Sequence, residues 1–419
     1  MASGNETMPG NESEFKPEKV SAPGTIRYEI PDHWIKYDLR ALMQELLDAR
    51  VAISALQTTP YQRGWVENLQ RMELKREVAG TSRIEGADFS ERELEEALQE
   101  TPAQLETRSQ RQAHAAVQTY RWIAKLSEDV LPDADLIFQI HRHIVTGADD
   151  DRCKPGRLRG EDQNVTFGQP RHGGASGGEE CQLAFTKFTE ALTGEFRSHD
   201  PILQALAAHD HLAAMHPFLD GNGRTARALE ALMLQRAGLR DICFIAMSNY
   251  YYEEKPAYLT ALSAVRQSGH DLTPFFKFAL KGVASQARRM LRGIQPQVSK
   301  ALYRNLMYDL FNRLKPRRKR VIAERQIEIL KTLLRNDRVS MEQLTEHTRA
   351  VYEKLKTPYK ALIRDLNGLL RLKAISFEKT PDNRYFFWVR LEWPREISET
   401  DFLERLRSLP KAKTHSSLA

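Results

Sequence analysis

His216-Pro217-Phe218-Leu219-Asp220-Gly221-Asn222-Gly223-Arg224-Thr225-Ala226-Arg227, followed at once by the apolar helical run Ala228-Leu229-Glu230-Ala231-Leu232-Met233-Leu234, is the stretch on which the reading of the chain turns. Gly221 and Gly223 carry no Cβ, so the backbone can turn sharply and aim successive N–H groups at an anion, to which the next helix adds the positive end of its dipole. Arg224 and Arg227, three apart on the first helical turn, can grip separate oxygens of a polyphosphate through planar forks of donors. Asp220 is a hard oxygen ligand placed where a phosphate-bound Mg²⁺ would sit. His216 is the side chain best suited to take a proton near neutral pH, and Pro217 stiffens the exit from the helix before it.

At every defined position the string fits His-x-Phe-x-(Asp/Glu)-Gly-Asn-Gly-Arg-x-x-Arg, and the chain therefore resembles the Fic family. The resemblance implies a mainly α fold: an all-helical core with a small β-hairpin flap. It also implies transfer of AMP from ATP to a Ser, Thr or Tyr hydroxyl of a protein, with pyrophosphate leaving. In that scheme His216 deprotonates the incoming hydroxyl, Asp220 holds Mg²⁺, and Gly221, Asn222 and Gly223 form the anion hole. Arg224 and Arg227 hold the β- and γ-phosphates, and Thr225 completes the nucleotide set.

Composition sets the frame. At 419 residues and 41% hydrophobic, the chain can form two or three domains with real cores. Cys153, Cys181 and Cys243 form no CxxC pair and are odd in number, which argues against a disulfide framework or structural zinc and fits a reducing, cytoplasmic setting. No apolar run approaches the ~20 residues that span a bilayer, and the polar N-terminus is unlike a signal sequence, so no membrane partner is expected. The net charge of +6 by itself decides nothing about partners.

Residues 1–24 mix Gly, Pro, Ser, Asn and Glu without periodicity and read as a mobile tail. A helical region at 25–110 follows, starting at Asp38 as N-cap. Within it, Ser82 and Glu85 have the form of a capping box, but Gly86-Ala87-Asp88-Phe89 would make a poor helix, whereas Ser90 and Glu93 form a second box before a clear one, Glu91 to Gln99. Glu85 thus ends a helix, with Gly86 at the left-handed C-cap. A carboxylate there is repelled by the dipole and needs an external cation. Thr81, Glu85 and Gly86 fit the Fic inhibitory pattern (Ser/Thr)-x-x-x-Glu-(Gly/Asn), in which the glutamate reaches the second motif arginine, here Arg227, and blocks the seat of the γ-phosphate.

The catalytic core is expected at 111–296, with helices at Gln112–Lys125, Ala134–Val145, Phe185–Phe196 and Ile202–Met215. Residues 164–176 resemble the family's flap, whose open strand edge can hold a target segment by strand addition. His209 and His211 invite a metal reading with His216, but i+2 spacing sends His211 to another face, so His209 reads as packing behind the site. Tyr258 is the best match for the tyrosine that such proteins lay against adenine, although Leu259 stands where a second tyrosine is usual.

Gly293 to Pro296 looks like the end of the core, with a basic helical linker at 297–320 and a second module at 321–396. Three helices and a hairpin there have the pattern of a winged helix-turn-helix, with Lys360, Arg364, Asn367 and Arg371 on the polar face of the third helix. A partner-docking or structural role is favoured over DNA for that module. Residues 397–419 read as a tail. Two functions follow: an ATP-using, Mg²⁺-dependent adenylyltransferase acting on proteins, itself included, and restrained by Glu85; or a DNA-binding regulator whose nucleotide site only senses. Removal of AMP by the same site and the oligomeric state stay open, a homodimer among the options.

Overall fold

A computed structural model describes residues 25–59, 63–87, 89–99, 105–239, 245–312 and 317–392, with 398, 400–401 and 404. The tail expected at 1–24 and nearly all of that at 397–419 lie outside the described residues, as do Cys243 and the Lys315-Pro316 step of the basic junction. The chain divides into two compact units, residues 1–292 and 293–419.

The first unit is helical: α1 (Leu39–Thr58), α2 (Arg63–Ile84), α3 (Glu91–Ala97), α4 (Arg108–Ile123), α5 (Ala134–Val145), α6 (Glu179–Thr193), α7 (Pro201–Met215), α8 (Asn222–Leu234), α9 (Met247–Glu253), α10 (Lys255–Gln267) and the start of α11 (Thr273–Asn312). Local signals set the ends. The Asp38 carboxylate accepts from the N–H groups of Arg40 and Ala41, and the Ser90–Glu93 box makes both its bonds before α3. α7 and α8 are buried almost all round, polar and charged side chains included, and pack on each other at the centre of the unit. α2 lies against α9 so closely that a Cβ on Gly80 would come within 2.4 Å of the Ser248 and Asn249 backbone.

Between α5 and α6 a short antiparallel hairpin, β1 (Thr166–Phe167) and β2 (His172–Gly173), pairs Thr166 with Gly173 and Phe167 with His172. One edge of it is taken by the chain itself. Ile26 runs parallel to β2, donating to Arg171 O at 3.0 Å and accepting from Gly173 N at 2.8 Å.

The second unit holds the end of α11, then α12 (Arg317–Arg335), β3 (Val339–Ser340), α13 (Met341–Tyr352), α14 (Pro358–Arg371), β4 (Ile375–Lys379) and β5 (Tyr385–Val389). The strands form one antiparallel sheet in the order β3-β5-β4. Its core gathers Tyr303, Phe311, Ile329, Leu344, Leu366 and Phe387. The units divide between Arg292 and Gly293, and α11 itself continues through Pro296, with Met290 and Ile294 buried before the proline and Tyr303 after it. One boundary differs from the sequence reading. Tyr303, Met307 and Phe311, read as linker, are core of this unit. Asn367, read on the exposed face of α14, is buried.

Candidate active site

α7 ends at His216, whose φ of 52° places it in the left-handed region and turns the chain out of the helix. The ring Nδ1 lies 3.2 Å from Ala213 O. A carbonyl can only accept, so Nδ1 carries the proton and Nε2 keeps its lone pair. Phe167 of β1 stacks on the ring at 4.3 Å, and the Arg266 guanidinium lies 4.9 Å over Phe167 in turn. Burial in this stack pushes the His216 pKa down to about 4, with the nearby Arg159 and Arg266 charges adding to it against the pull of Ala213 O and Glu85.

Flap and helix end are tied together by one arginine. Arg159 donates from Nε to His216 O at 2.8 Å, from Nη1 to Gln163 O at 2.5 Å and from Nη2 to Ala175 O. Ala175 N donates to Met215 O at 2.9 Å, and a Cβ on Gly174 would stand 2.8 Å from that same oxygen. The hairpin is thus fixed beside the base through backbone contacts that only glycine permits at 174.

The loop after His216 is closed by Asn222, which accepts from Phe218 N at 2.9 Å and donates to Phe218 O at 2.8 Å. His141 of α5 stacks on Phe218 at 3.7 Å, takes the Gly156 N–H on Nδ1 at 2.8 Å and contacts Asp220 O through Nε2 at 3.0 Å. Its tautomer is fixed by those two bonds, and burial pushes its pKa to about 4. Gly221 has φ 76°, and a Cβ there would meet Val145 at 2.8 Å. Asp220 itself accepts from Gly221 N at 2.6 Å, from Arg224 Nη2 at 3.2 Å and from Arg108 Nη2 at 3.2 Å.

Arg224 is occupied. Its Nη1 donates to buried Asp149 at 2.6 Å, and Asp149 is also bound by Arg108 and Gln112. Burial opposes the charge of Asp149, yet Arg224 and the donors around it hold its carboxyl below the usual range. Thr225 is wholly buried and its N–H is bonded to Gly221 O at 2.9 Å. Of the nucleotide set read from sequence, Arg224 contacts Asp149 and Asp220 through its Nη atoms while its buried Nε has no partner, Asn222 closes the loop, and Thr225 is buried with its hydroxyl unpartnered.

Arg227 faces the end of α2. Its Nε donates to Thr81 Oγ1 at 2.9 Å, and Nη2 donates to Thr81 O at 3.3 Å and to Glu85 Oε1 at 2.6 Å. Gly86 adopts φ 87° just past the helix, so the chain turns away and leaves Glu85 directed at the arginine. Glu85 Oε1 would lie 2.4 Å from a Cβ on Gly223, so the carboxylate rests on the bare glycine of the motif. Although burial opposes its charge, Arg227 and then Arg224 hold the Glu85 pKa below its ordinary value.

Tyr258 is not an open platform. Its ring is buried and stacked on Tyr251 at 4.6 Å, and its hydroxyl meets His209 Nε2 at 2.9 Å and hydrogen bonds with Arg227. His209 Nδ1 pairs with Glu230, which also accepts from Tyr251 at 2.8 Å. This buried chain supports Arg227 from behind and excludes His209 as a metal ligand, since both its ring nitrogens are engaged. Of the tyrosines at 250–252 and 258, only Tyr252 is exposed, at 40%.

Asp220 suits Mg²⁺ as a single carboxylate whose remaining coordination comes from phosphate oxygens and water. Among the described residues no group of three or more His, Cys, Asp or Glu could hold a metal alone. Sequence reasoning missed Asp149, Arg108, His141, Arg159 and Arg266; periodicity gives no sign of contacts 41 to 112 residues apart such as those of Arg108.

Residues 131–234 match the Fic/DOC family. It is similar to the protein adenylyltransferase fic-1 of Caenorhabditis elegans, 34% identical over 92 residues that cover 22% of this chain and 16% of that protein. It is also similar to the protein adenylyltransferase Fic of Nematostella vectensis, 30% identical over 149 residues that cover 35% and 31% of the two chains. The matched region thus spans from about a sixth to a third of these relatives. A crystal structure of a Fic family protein from Desulfovibrio desulfuricans G20 shares the fold across 85% of this chain and 98% of its own, with a TM-score of 0.54 at 16% identity.

Proposed function

We propose that the protein is a protein adenylyltransferase that moves AMP from ATP to a hydroxyl of a protein, itself included, and that Glu85 restrains it. The observation that carries the reading is the placing of a neutral His216, its Nε2 unprotonated, on the same loop as Asp220 and the bare Gly223, against which Arg227 and Glu85 meet. Nε2 of His216 takes the proton of the acceptor hydroxyl as its oxygen bonds to the α-phosphorus. The bond from that phosphorus to the bridging oxygen breaks, and pyrophosphate leaves. Mg²⁺, when held by Asp220 and the phosphates, neutralises their charge. Arg227 is the arginine available to the γ-phosphate, and Glu85 competes for it.

The acceptor segment would pair with β1, because Ile26 already covers the edge of β2. Phe167 beside that edge brings the bound segment to His216. Residues from β1 rather than the whole 164–176 loop would then set which targets are accepted.

Incubation of Glu85→Gly with ATP labelled at the α- or the γ-phosphate tests the reaction. Protein should gain label from the α position alone, with one pyrophosphate released per AMP, and His216→Ala in that background should gain none. Transfer of γ-label, or no labelling of any protein, contradicts the proposal.

A further inference from the structure

The second unit presents a surface that the transfer reaction leaves unused. Residues 293–419 hold 27 Lys and Arg against 15 Asp and Glu, whereas residues 1–292 hold 35 against 41. The modest total of +6 thus conceals a strongly basic unit beside an acidic one, and such asymmetry between parts of a chain points to a polyanionic partner.

Of these basic residues six stand in the sequence at 313–320 and five lie on α14 and the turn before it. Lys360, Arg364 and Arg371 fall on one narrow stripe of the helix and are all exposed. Lys354 and Lys356 in the turn before α14 are also exposed, as is Glu353, and Tyr359 is 55% exposed. The only acid on α14, Asp365, points inward, where it accepts from Arg325 at 2.8 Å and from the Tyr352 hydroxyl at 2.9 Å. Arg364 comes 3.6 Å from Asp365. Among the described residues no ion pair engages Lys354, Lys356, Lys360 or Arg371. The stripe is therefore of one sign and largely unneutralised.

A surface for a protein partner would show apolar and aromatic side chains with little lysine at its centre, whereas nucleic-acid surfaces are markedly cationic. The architecture agrees with the second. Three helices are followed by a hairpin whose sheet order is β3-β5-β4, and α14 follows α13 after the turn 353–357, the arrangement that lays a second helix in the major groove. At 14 residues α14 is about 21 Å long and fits a groove about 12 Å wide. The hairpin turn carries Lys379 and Arg384 at its ends, exposed, with Arg384 3.0 Å from Asp382.

We infer that the second unit is a winged helix that binds duplex DNA, with α14 in the major groove and the β4–β5 hairpin against the backbone. Lys360, Arg364 and Arg371 make the contacts. The inference does not depend on the transfer reaction.

Fluorescence anisotropy of the full chain with a labelled duplex of about 30 base pairs, titrated between about 50 and 200 mM salt, tests it. Binding should weaken steeply with salt. The combined Lys360→Ala, Arg364→Ala and Arg371→Ala variant should bind at least about tenfold more weakly and flatten the log–log salt slope by about 2 to 3. All three side chains are exposed, so its circular dichroism and thermal transition should match wild type. Absence of salt-sensitive duplex binding, or an unchanged slope in the triple variant, overturns the inference. So does binding of an acidic polypeptide with none of duplex DNA, which would assign the surface to a protein partner.

Discussion

His216 can accept a proton at neutral pH only if its ring is uncharged with Nε2 open, and the 3.2 Å contact from Nδ1 to Ala213 O together with burial under Phe167 provides both. With its pKa pushed down to about 4, the base form persists well below the ordinary histidine range and is lost only as pH falls through that value. Labelling by Glu85→Gly should therefore stay level from about pH 8 to about pH 5 and then decline, and a decline centred near 6.5 would contradict the placement of the ring. Mild acid should not release the wild-type enzyme, because Arg227 and Arg224 hold the Glu85 carboxyl below its ordinary pKa and keep it charged. A second expectation concerns Asp149, fully buried and shared by Arg224, Arg108 and Gln112. Asp149→Ala strands the Arg224 charge and should cost about 3 to 5 kcal/mol of stability, measured by urea unfolding; a loss below about 1 kcal/mol would show that Arg224 finds water or Asp220 instead. None of this was legible at 149, one of three consecutive aspartates, whereas His216, Asp220 and Gly223 were legible because their spacing is itself the geometry of a helix start.

α2 carries Glu85 to the site, and its body is fixed. Buried Glu77 accepts from Ser248 N at 2.9 Å, from the Ser248 hydroxyl and from the Tyr120 hydroxyl at 2.7 Å, while Gly80 lets the helix touch the α9 backbone. In the proposed restraint, release of Glu85 is an event of the last turn, from Thr81 to Gly86, where Lys255 donates to Ile84 O at 2.8 Å. Gly80→Ala forces a Cβ into the Ser248 and Asn249 backbone and should cost about 1 to 3 kcal/mol. It should also raise basal labelling, since displacement of α2 moves Thr81 and Glu85 off Arg227; a destabilised variant with unchanged labelling would show that the last turn does not follow the helix. Local signals predicted these elements well, as the capping box at Ser90 shows. They failed where packing overrides propensity: Tyr258, read as a nucleotide contact, is held inward by Tyr251 and His209.

Across the whole molecule the chemistry lies in an acidic helical unit and the basic stripe in the other, a division that net charge alone hides. Among the described residues no helix is long and apolar enough to cross a membrane. In the proposed reaction the first unit depends on one guanidinium, because Arg227 cannot hold both Glu85 and a γ-phosphate in the geometry that leaves the α-phosphorus open to in-line attack. With the Glu85 side chain 38% exposed, solvent screening trims the ion pair to about 1 to 2 kcal/mol, or about five- to thirtyfold in rate. The measurement that tests this most directly is the rate of AMP incorporation by wild type, Glu85→Gly and the Glu85→Gly/Arg227→Ala double variant at equal ATP. Glu85→Gly should label faster by that factor and the double variant should fall to background. An unchanged or slower Glu85→Gly, or a double variant as fast as Glu85→Gly, would contradict the account.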